Sequence, residues 1–214
     1  MEIGSKSSIK IESDFNDYYD ELSDNESDLI YKRFRKESMS RVKALKKLSE
    51  LSIATLELKP VSKFLKQEFP LVVYTDIKAH DGIGKRIVTY EEAMNYYSNY
   101  IASRYIEPDN NCSIKYIQLG KRRFTIKFEL NEPLKIGGVT DIKESEQQYN
   151  DKIDIPIYSI DYIESNGKLI ATDFNEVENF KKCGLTNFIP AEHIIRELYN
   201  YFNILRRQDR WHLI

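Results

Sequence analysis

Two stretches of this chain alternate apolar and polar residues with a period of two, and each doubles back around a glycine. Residues 113–120 (SIKYIQLG) and 122–130 (RRFTIKFEL) meet at Gly120-Lys121, while 155–163 (IPIYSIDYI) and 168–174 (KLIATDF) meet around Ser165-Asn166-Gly167. Strand side chains point alternately to the two faces, so this period predicts half-buried strands, and the short glycine-bearing breaks predict antiparallel hairpins. A sheet made of such hairpins needs cover on at least one face, and the remaining sequence supplies helices between further strands.

Residues 29–51 are strongly basic and helical in pattern, with Val42, Leu45, Leu48 and Leu51 recurring every three residues and Ser40 as the N-cap before Arg41. Residues 53–60 (IATLELKP) read as a strand stopped by Pro60, 61–68 as a short amphipathic helix, and 69–77 (FPLVVYTDI) and 86–90 (RIVTY) as strands. A helix is expected over 91–103, with Ala93, Tyr97 and Ile101 on its apolar side. A closing helix over 191–207 would bury Ile194, Ile195, Leu198 and Phe202. Residues 131–153 are polar, contain Gly137-Gly138, and read as a surface loop and candidate lid. Antiparallel strands with helices between them make the expected class α+β.

Composition narrows the function classes. With 41% hydrophobic and 31% charged residues among 214, the chain suits a soluble globular protein of one domain or two lobes sharing a core. Lys+Arg 32 against Asp+Glu 34 leaves a net charge of −2, which supports neither nucleic acid nor an anionic membrane as partner. No apolar run nears the roughly 18 residues of a membrane helix. The opening MEIGSKSS lacks a signal-peptide core, so an intracellular protein is expected. Two cysteines, Cys112 and Cys183, and three histidines do not suffice for a disulfide framework or a zinc site. Acidic residues crowd positions 1–30, but Phe15, Tyr18 and Tyr19 among them suggest a short docked element rather than an acidic tail.

The sharpest chemical signal is Asp161 with Asp173 and Asn175. Asp173 and Asn175 are two apart on a strand and share a face, and Asp161 lies mid-strand among core-like residues. An ionised carboxylate there needs a cation or donors to compensate its burial. Two carboxylates and an amide oxygen on one face would suit Mg²⁺ or Mn²⁺. A strict two-residue Asn166-Gly167 turn sets Asp161 against Thr172, pointing away from Asp173. A three-residue loop, or a bulge, puts it on the shared face. The bland alternative, with Asp173 capping a turn and Asp161 solvated at a sheet edge, stays open on spacing alone.

Gly82-Ile83-Gly84-Lys85 follows one strand and opens another, which could cradle phosphate oxygens with help from Lys85 and Arg86, or could be an ordinary hairpin turn. It is not a Walker A loop, since the Gly-Lys-Ser/Thr ending and following helix are missing. Lys115 and Lys127 sit where the faces of the central hairpin alternate, so one or both could line a cleft, and the alternative is a solvated sheet face. Interleaved Tyr116, Phe124 and Phe128 permit a nucleic-acid surface, but the near-neutral charge does not support it.

Over residues 39–200 the order of elements resembles the ATP-grasp superfamily, in its ribosomal-protein glutamate-ligase and glutathione-synthase-like branch. SRVKALKKLSELSIATLEL is similar to the family's helix with a basic residue, and FPLVVYTDIKAHDGIGKRIVTYEEA to its strand, glycine loop and following helix. RYIEPDNNCSIKYIQLGKRRFTIKFEL is similar to its hinge and arginine-bearing strands, and YSIDYIESNGKLIATDFNEVENF to its metal-binding hairpin. The compact length and the opening DFNDYYD also look like small ATP-grasp-like proteins encoded by bacteriophages.

The resemblance implies two α+β lobes with antiparallel sheets holding ATP between them: an acidic segment 1–30, an N-lobe with the basic helix at 31–104, and a C-lobe at 105–214. Adenine would lie near the hinge Arg104-Tyr105-Ile106-Glu107, touching Tyr105 and Ile106. Asp161, Asp173 and Asn175 would bind Mg²⁺ or Mn²⁺, and Gly82, Gly84 and Lys85 would cover the phosphates. Arg41 and Lys78 would add charge, and Lys115 and Lys127 would take the places of catalytic arginines. The implied activity is ligation of a carboxylate to an amine through an acyl phosphate, the substrates unknown and a peptide or protein among the candidates, in the cytoplasm (the host's, if phage-encoded). Departures are Tyr74 where the family has lysine, Lys115 for arginine, Asp173 for glutamate and Arg41 for lysine; no stretch matches the family's N-terminal substrate domain. They leave an alternative, a catalytically degenerate binding protein that engages a host partner.

Overall fold

The computed structural model describes residues 41–76, 84–145, 153, 157–175, 183–190, 193–194 and 196–197. Helix α1 (Arg41–Glu50) buries Ala44, Leu45 and Leu48. It ends where Ser52 turns left-handed at φ 65° and the Ile53 N–H donates to the Leu48 carbonyl at 3.1 Å, a closure that satisfies a terminal carbonyl. The Ser40 cap and the acidic start lie outside the described residues.

Among the described residues, nine strands form two sheets. The first contains β1 (Lys59–Pro60), β2 (Leu71–Tyr74), β3 (Lys85–Val88) and β4 (Ile101–Arg104) in the order β1-β4-β2-β3. Every residue of β2 is buried, as expected for a central apolar strand. Pro60 is tolerated because β1 is an edge. Helix α2 (Tyr90–Tyr96), capped by the Thr89 hydroxyl, covers one face with Val61, Phe64, Leu71, Val73, Val88, Ala93 and Ala102.

The second sheet holds β5 (Cys112–Leu119), β6 (Arg122–Glu132), β7 (Lys135–Glu144), β8 (Ile157–Ser165) and β9 (Lys168–Asn175), antiparallel in the order β7-β6-β5-β8-β9. Helix α1 packs on one face, against Ile114, Tyr116, Tyr158, Ile160, Tyr162 and Phe174. On the other face Ile117, Leu119, Phe124, Ile126 and Phe128 are covered by Cys183, Leu185, Ile189 and Ile194. The β9 edge is lined by residues 54–56: the Ala171 N–H donates to the Ala54 carbonyl at 2.8 Å and the Leu56 N–H to the Ala171 carbonyl at 3.1 Å.

Four expectations from the sequence change. The helix expected over 91–103 stops at Tyr96, because the free edge of β2 recruits Ile101–Arg104 as a strand. Residues 61–68 form two separate 3₁₀ turns, Val61–Lys63 and Lys66–Glu68, split by extended Phe64 and Leu65. The strand expected over 53–60 makes sheet pairing only as an isolated bridge at Thr55 and as the two-residue β1. The polar stretch 131–153 is not a surface loop throughout, since 135–144 is β7, paired along the outer edge of the long β6. An edge strand can stay polar, so its sequence carries little alternation. The closing helix is described only at His193, Ile194, Arg196 and Glu197. Among the described residues, no helix is long and apolar enough to cross a membrane.

Candidate functional site

The β8–β9 turn is of the strict two-residue kind: Ser165 pairs with Lys168, and Asn166 and Gly167 both have positive φ, 52° and 70°, as a tight hairpin turn requires. Asp109 grips it from outside, its two carboxylate oxygens accepting from the Asn166 and Gly167 N–H groups at 3.2 and 3.1 Å. Continued unbroken, that register would turn Asp161 away from Asp173. It breaks between Tyr162 and Asp161: Tyr162 faces Ala171, but Asp161 faces Asp173, leaving Thr172 as the extra residue of a bulge. The Thr172 hydroxyl donates to the Asp161 carbonyl at 3.2 Å. Asp161, Asp173 and Asn175 therefore share one face, with Asn175 opposite Ser159.

Each carboxylate has a cation. Lys115 stands opposite Asp161 on β5 and its Nζ lies 2.8 Å from Asp161 Oδ1. Arg41, in the first turn of α1, places Nη2 at 3.1 Å from Asp173 Oδ2, while Asp173 Oδ1 accepts the Phe174 N–H at 3.0 Å. The Arg41 guanidinium also lies 5.3 Å over the Tyr74 ring of the first sheet. Arg41 thus bridges the two sheets. Burial works against its charge, but Asp173, helped by Tyr74, outweighs that and holds its pKa above the ordinary value.

Other predicted site residues separate by face. Lys85 stands opposite Tyr74 and so on the Tyr74 face, whereas Arg86 points the other way and donates to the Tyr97 hydroxyl at 2.8 Å. Gly84 closes the hairpin at φ 70°, its carbonyl accepting from the Thr75 N–H at 2.7 Å and hydroxyl at 3.0 Å. Gly82 and Lys78 lie outside the described residues. Tyr105 and Ile106 follow β4 half-buried, with the Tyr105 N–H donating to the Pro70 carbonyl at 3.0 Å. Burial, then the nearby Glu107, raises the Tyr105 phenol's pKa. Lys127 is not brought in: it is exposed and pairs with Ile114, on the face away from Lys115. Sequence reasoning missed Asp109, whose role comes from a contact more than fifty residues away, and the Tyr74 ring as a platform for Arg41.

The donor set fits a hard divalent cation. Among the described residues no three His, Cys, Asp or Glu side chains converge, so the ion would rest on two carboxylates and the Asn175 amide oxygen. That suits Mg²⁺, which keeps several positions for water or phosphate oxygens.

No protein-family model and no curated protein matches this chain. Among solved structures, the RiPP-associated ATP-grasp ligase of Chryseobacterium gregarium, in complex with ADP and a leader and core peptide, superposes at a TM-score of 0.50 with 14% identity, over 72% of this chain and 55% of that one. The chain has an ATP-grasp fold. The D-alanine–D-alanine ligase of Bacillus anthracis with ATP follows at TM-score 0.47 and 13% identity, over 80% and 68% of the two chains. The macrocyclase MdnB of Microcystis aeruginosa gives 0.49 and 10%, over 78% and 61%. The chain spans little more than half of the peptide-bound ligase. Its two α+β lobes with antiparallel sheets agree with the expected fold class.

Proposed function

We propose that this chain binds a magnesium–nucleotide complex between its two sheets and uses ATP to activate a carboxylate for attack by an amine. The observation that carries the reading is the bulge at Thr172, which sets Asp161 opposite Asp173 beside Asn175 where the two sheets meet at Arg41. Asp161, Asp173 and Asn175 hold the ion, with Mn²⁺ as a substitute. When bound it would neutralise phosphate charge and polarise the transferred phosphoryl group. Lys85 and the loop at Gly82–Gly84, with Lys78, cover the phosphates, and Tyr105 and Ile106 flank the adenine. A substrate carboxylate oxygen attacks the terminal phosphorus and ADP leaves. The amine then attacks the acyl carbon, phosphate departs and the amine loses its proton. Arg41 and Lys115 supply positive charge to the phosphoryl oxygens as they pass through the transition state; Lys127 has no part in this geometry. The peptide seen with the Chryseobacterium ligase supports a peptide or protein as the substrate class.

The test is calorimetric titration of ATP with and without Mg²⁺, on wild type and Asp173→Asn. Mg²⁺-dependent binding that disappears in the variant is the expected result, and no heat at millimolar ATP sinks the reading. One observation favours a second reading, a binding protein without catalysis: Tyr74 occupies the expected lysine position and its ring is committed to Arg41. ATP binding without ADP release in the presence of varied carboxylates and amines would select it.

A further inference from the structure

The two carboxylates of the candidate ion site are already neutralised by side chains. Asp161 is paired with Lys115 at 2.8 Å and Asp173 with Arg41 at 3.1 Å, and three of these four side chains are under one-fifth exposed: Arg41 8%, Lys115 13% and Asp173 16%. A divalent ion entering alone would leave its waters for a place where, among the described residues, two carboxylates are each paired with a cationic side chain. Hard cations bind an oxygen site less tightly as its net negative charge falls, since less attraction is left to offset dehydration. A second observation concerns the same guanidinium: Arg41 Nε is buried and has no hydrogen-bond partner. A buried donor left unpaired is costly and is rare in finished structures. With Nη2 on Asp173 and the ring of Tyr74 alongside, that donor lacks only an oxygen acceptor. The guanidinium has five N–H groups in a fork suited to oxyanions, so it can serve Asp173 and a phosphate together.

We infer that Arg41 and Lys115 are resident counter-cations that bar free divalent ions, so that metal enters only as its complex with a polyphosphate. The incoming phosphate oxygens accept from Arg41 and Lys115, and the negative charge they bring restores the attraction for the ion at Asp161, Asp173 and Asn175. Order of binding is thereby built into the site: the metal does not precede the nucleotide. This rests on the metal–nucleotide reading above, but the two fail separately.

The experiment measures Mn²⁺ alone, without nucleotide, by loss of the free-ion electron paramagnetic resonance signal. The chains compared are wild type, Lys115→Gln, Arg41→Lys, Arg41→Gln/Lys115→Gln, and that double variant with Asp173→Asn, each checked for folding by far-ultraviolet circular dichroism. Wild type is expected to leave the free Mn²⁺ signal intact at sub-millimolar concentrations. Lys115→Gln should bind at least about tenfold more tightly, and the double variant at least about tenfold more again, since each removes a unit positive charge from beside the ion. Adding Asp173→Asn should abolish the gain, which places the ion at the acid pair. Arg41→Lys, which keeps the charge, should exclude Mn²⁺ as wild type does. Wild type binding Mn²⁺ alone as tightly as the variants overturns the inference, as does a folded Lys115→Gln chain with no gain. Absence of Mg²⁺-dependent ATP binding in wild type defeats the functional reading instead, whatever Mn²⁺ does in the variants.

Discussion

The Arg41–Asp173 pair should be strongly coupled, and a double-mutant cycle measures it. The two groups lie 3.1 Å apart with side chains 8% and 16% exposed. At that separation an effective dielectric near 20 gives a gross attraction of about 5 kcal/mol. Desolvation of both groups opposes it. Removing one partner strands the other, which for a fully buried pair costs about 3–5 kcal/mol. Asp173 keeps some water and the Phe174 N–H bond at 3.0 Å, so the cost falls to the bottom of that range or just below it: about 2–3 kcal/mol for Arg41→Met and a similar loss for Asp173→Asn. The double variant carries no stranded charge and should lose only about 1–2 kcal/mol, for the side-chain packing and the Tyr74 stack at 5.3 Å. Urea unfolding followed by far-ultraviolet circular dichroism would then show a coupling of about 2 kcal/mol or more. A buried pair is screened little, so molar salt should leave the coupling in place. Single-variant losses that add to within about 0.5 kcal/mol would refute the bridge between the sheets.

Three further outcomes are expected. Asp109→Ala removes the acceptor for two backbone N–H groups of the β8–β9 turn and should destabilise by about 1–2 kcal/mol in urea, with no measurable change counting against the anchor. Arg122 donates to both oxygens of Glu144 at 2.7 and 2.9 Å, and that hydrogen bonding, against the opposing effect of burial, holds the Glu144 carboxyl below its ordinary 4.5. A depressed folded pKa stabilises above about pH 4.5 and is lost as pH falls through the folded value. Glu144→Gln should therefore flatten a small part of the acid transition, under about 1 kcal/mol for so exposed a pair; an unchanged acid profile refutes it. Gly84→Ala introduces a Cβ 3.0 Å from Asp76 Cβ at φ 70° and should cost about 1–2 kcal/mol, while unaltered thermal stability would show that the β2–β3 hairpin closes differently.

The parts legible in the sequence were those governed by local periodicity and turn chemistry. The β5–β6 and β8–β9 hairpins follow from alternation and from glycine where φ is positive, and the apolar stripe Leu45–Leu48 of α1 follows from helical spacing. Strand β7 and the short β4 were not legible, since their pairing is set by free backbone edges on β6 and β2 rather than by their own side chains. Lys127 was indistinguishable from Lys115 by spacing, because only the register with Ile114 and Asp161 says which face each occupies.

The acid pair shows the division most clearly. Sequence by itself determined that Asp173 and Asn175 share a face, and that Asp161 joins them only through a longer loop or a bulge, because strand geometry has a period of two. Which of these occurs depended on the whole hairpin. Asp109 holds the turn to two residues from a distant segment, and Ala171 and Phe174 must both face the α1 core. Three residues apart, they meet one face only if a residue between them is left out of the ladder, and Thr172 is that residue. The demand to bury both apolar side chains is a tertiary one, and it is what brings the two carboxylates together.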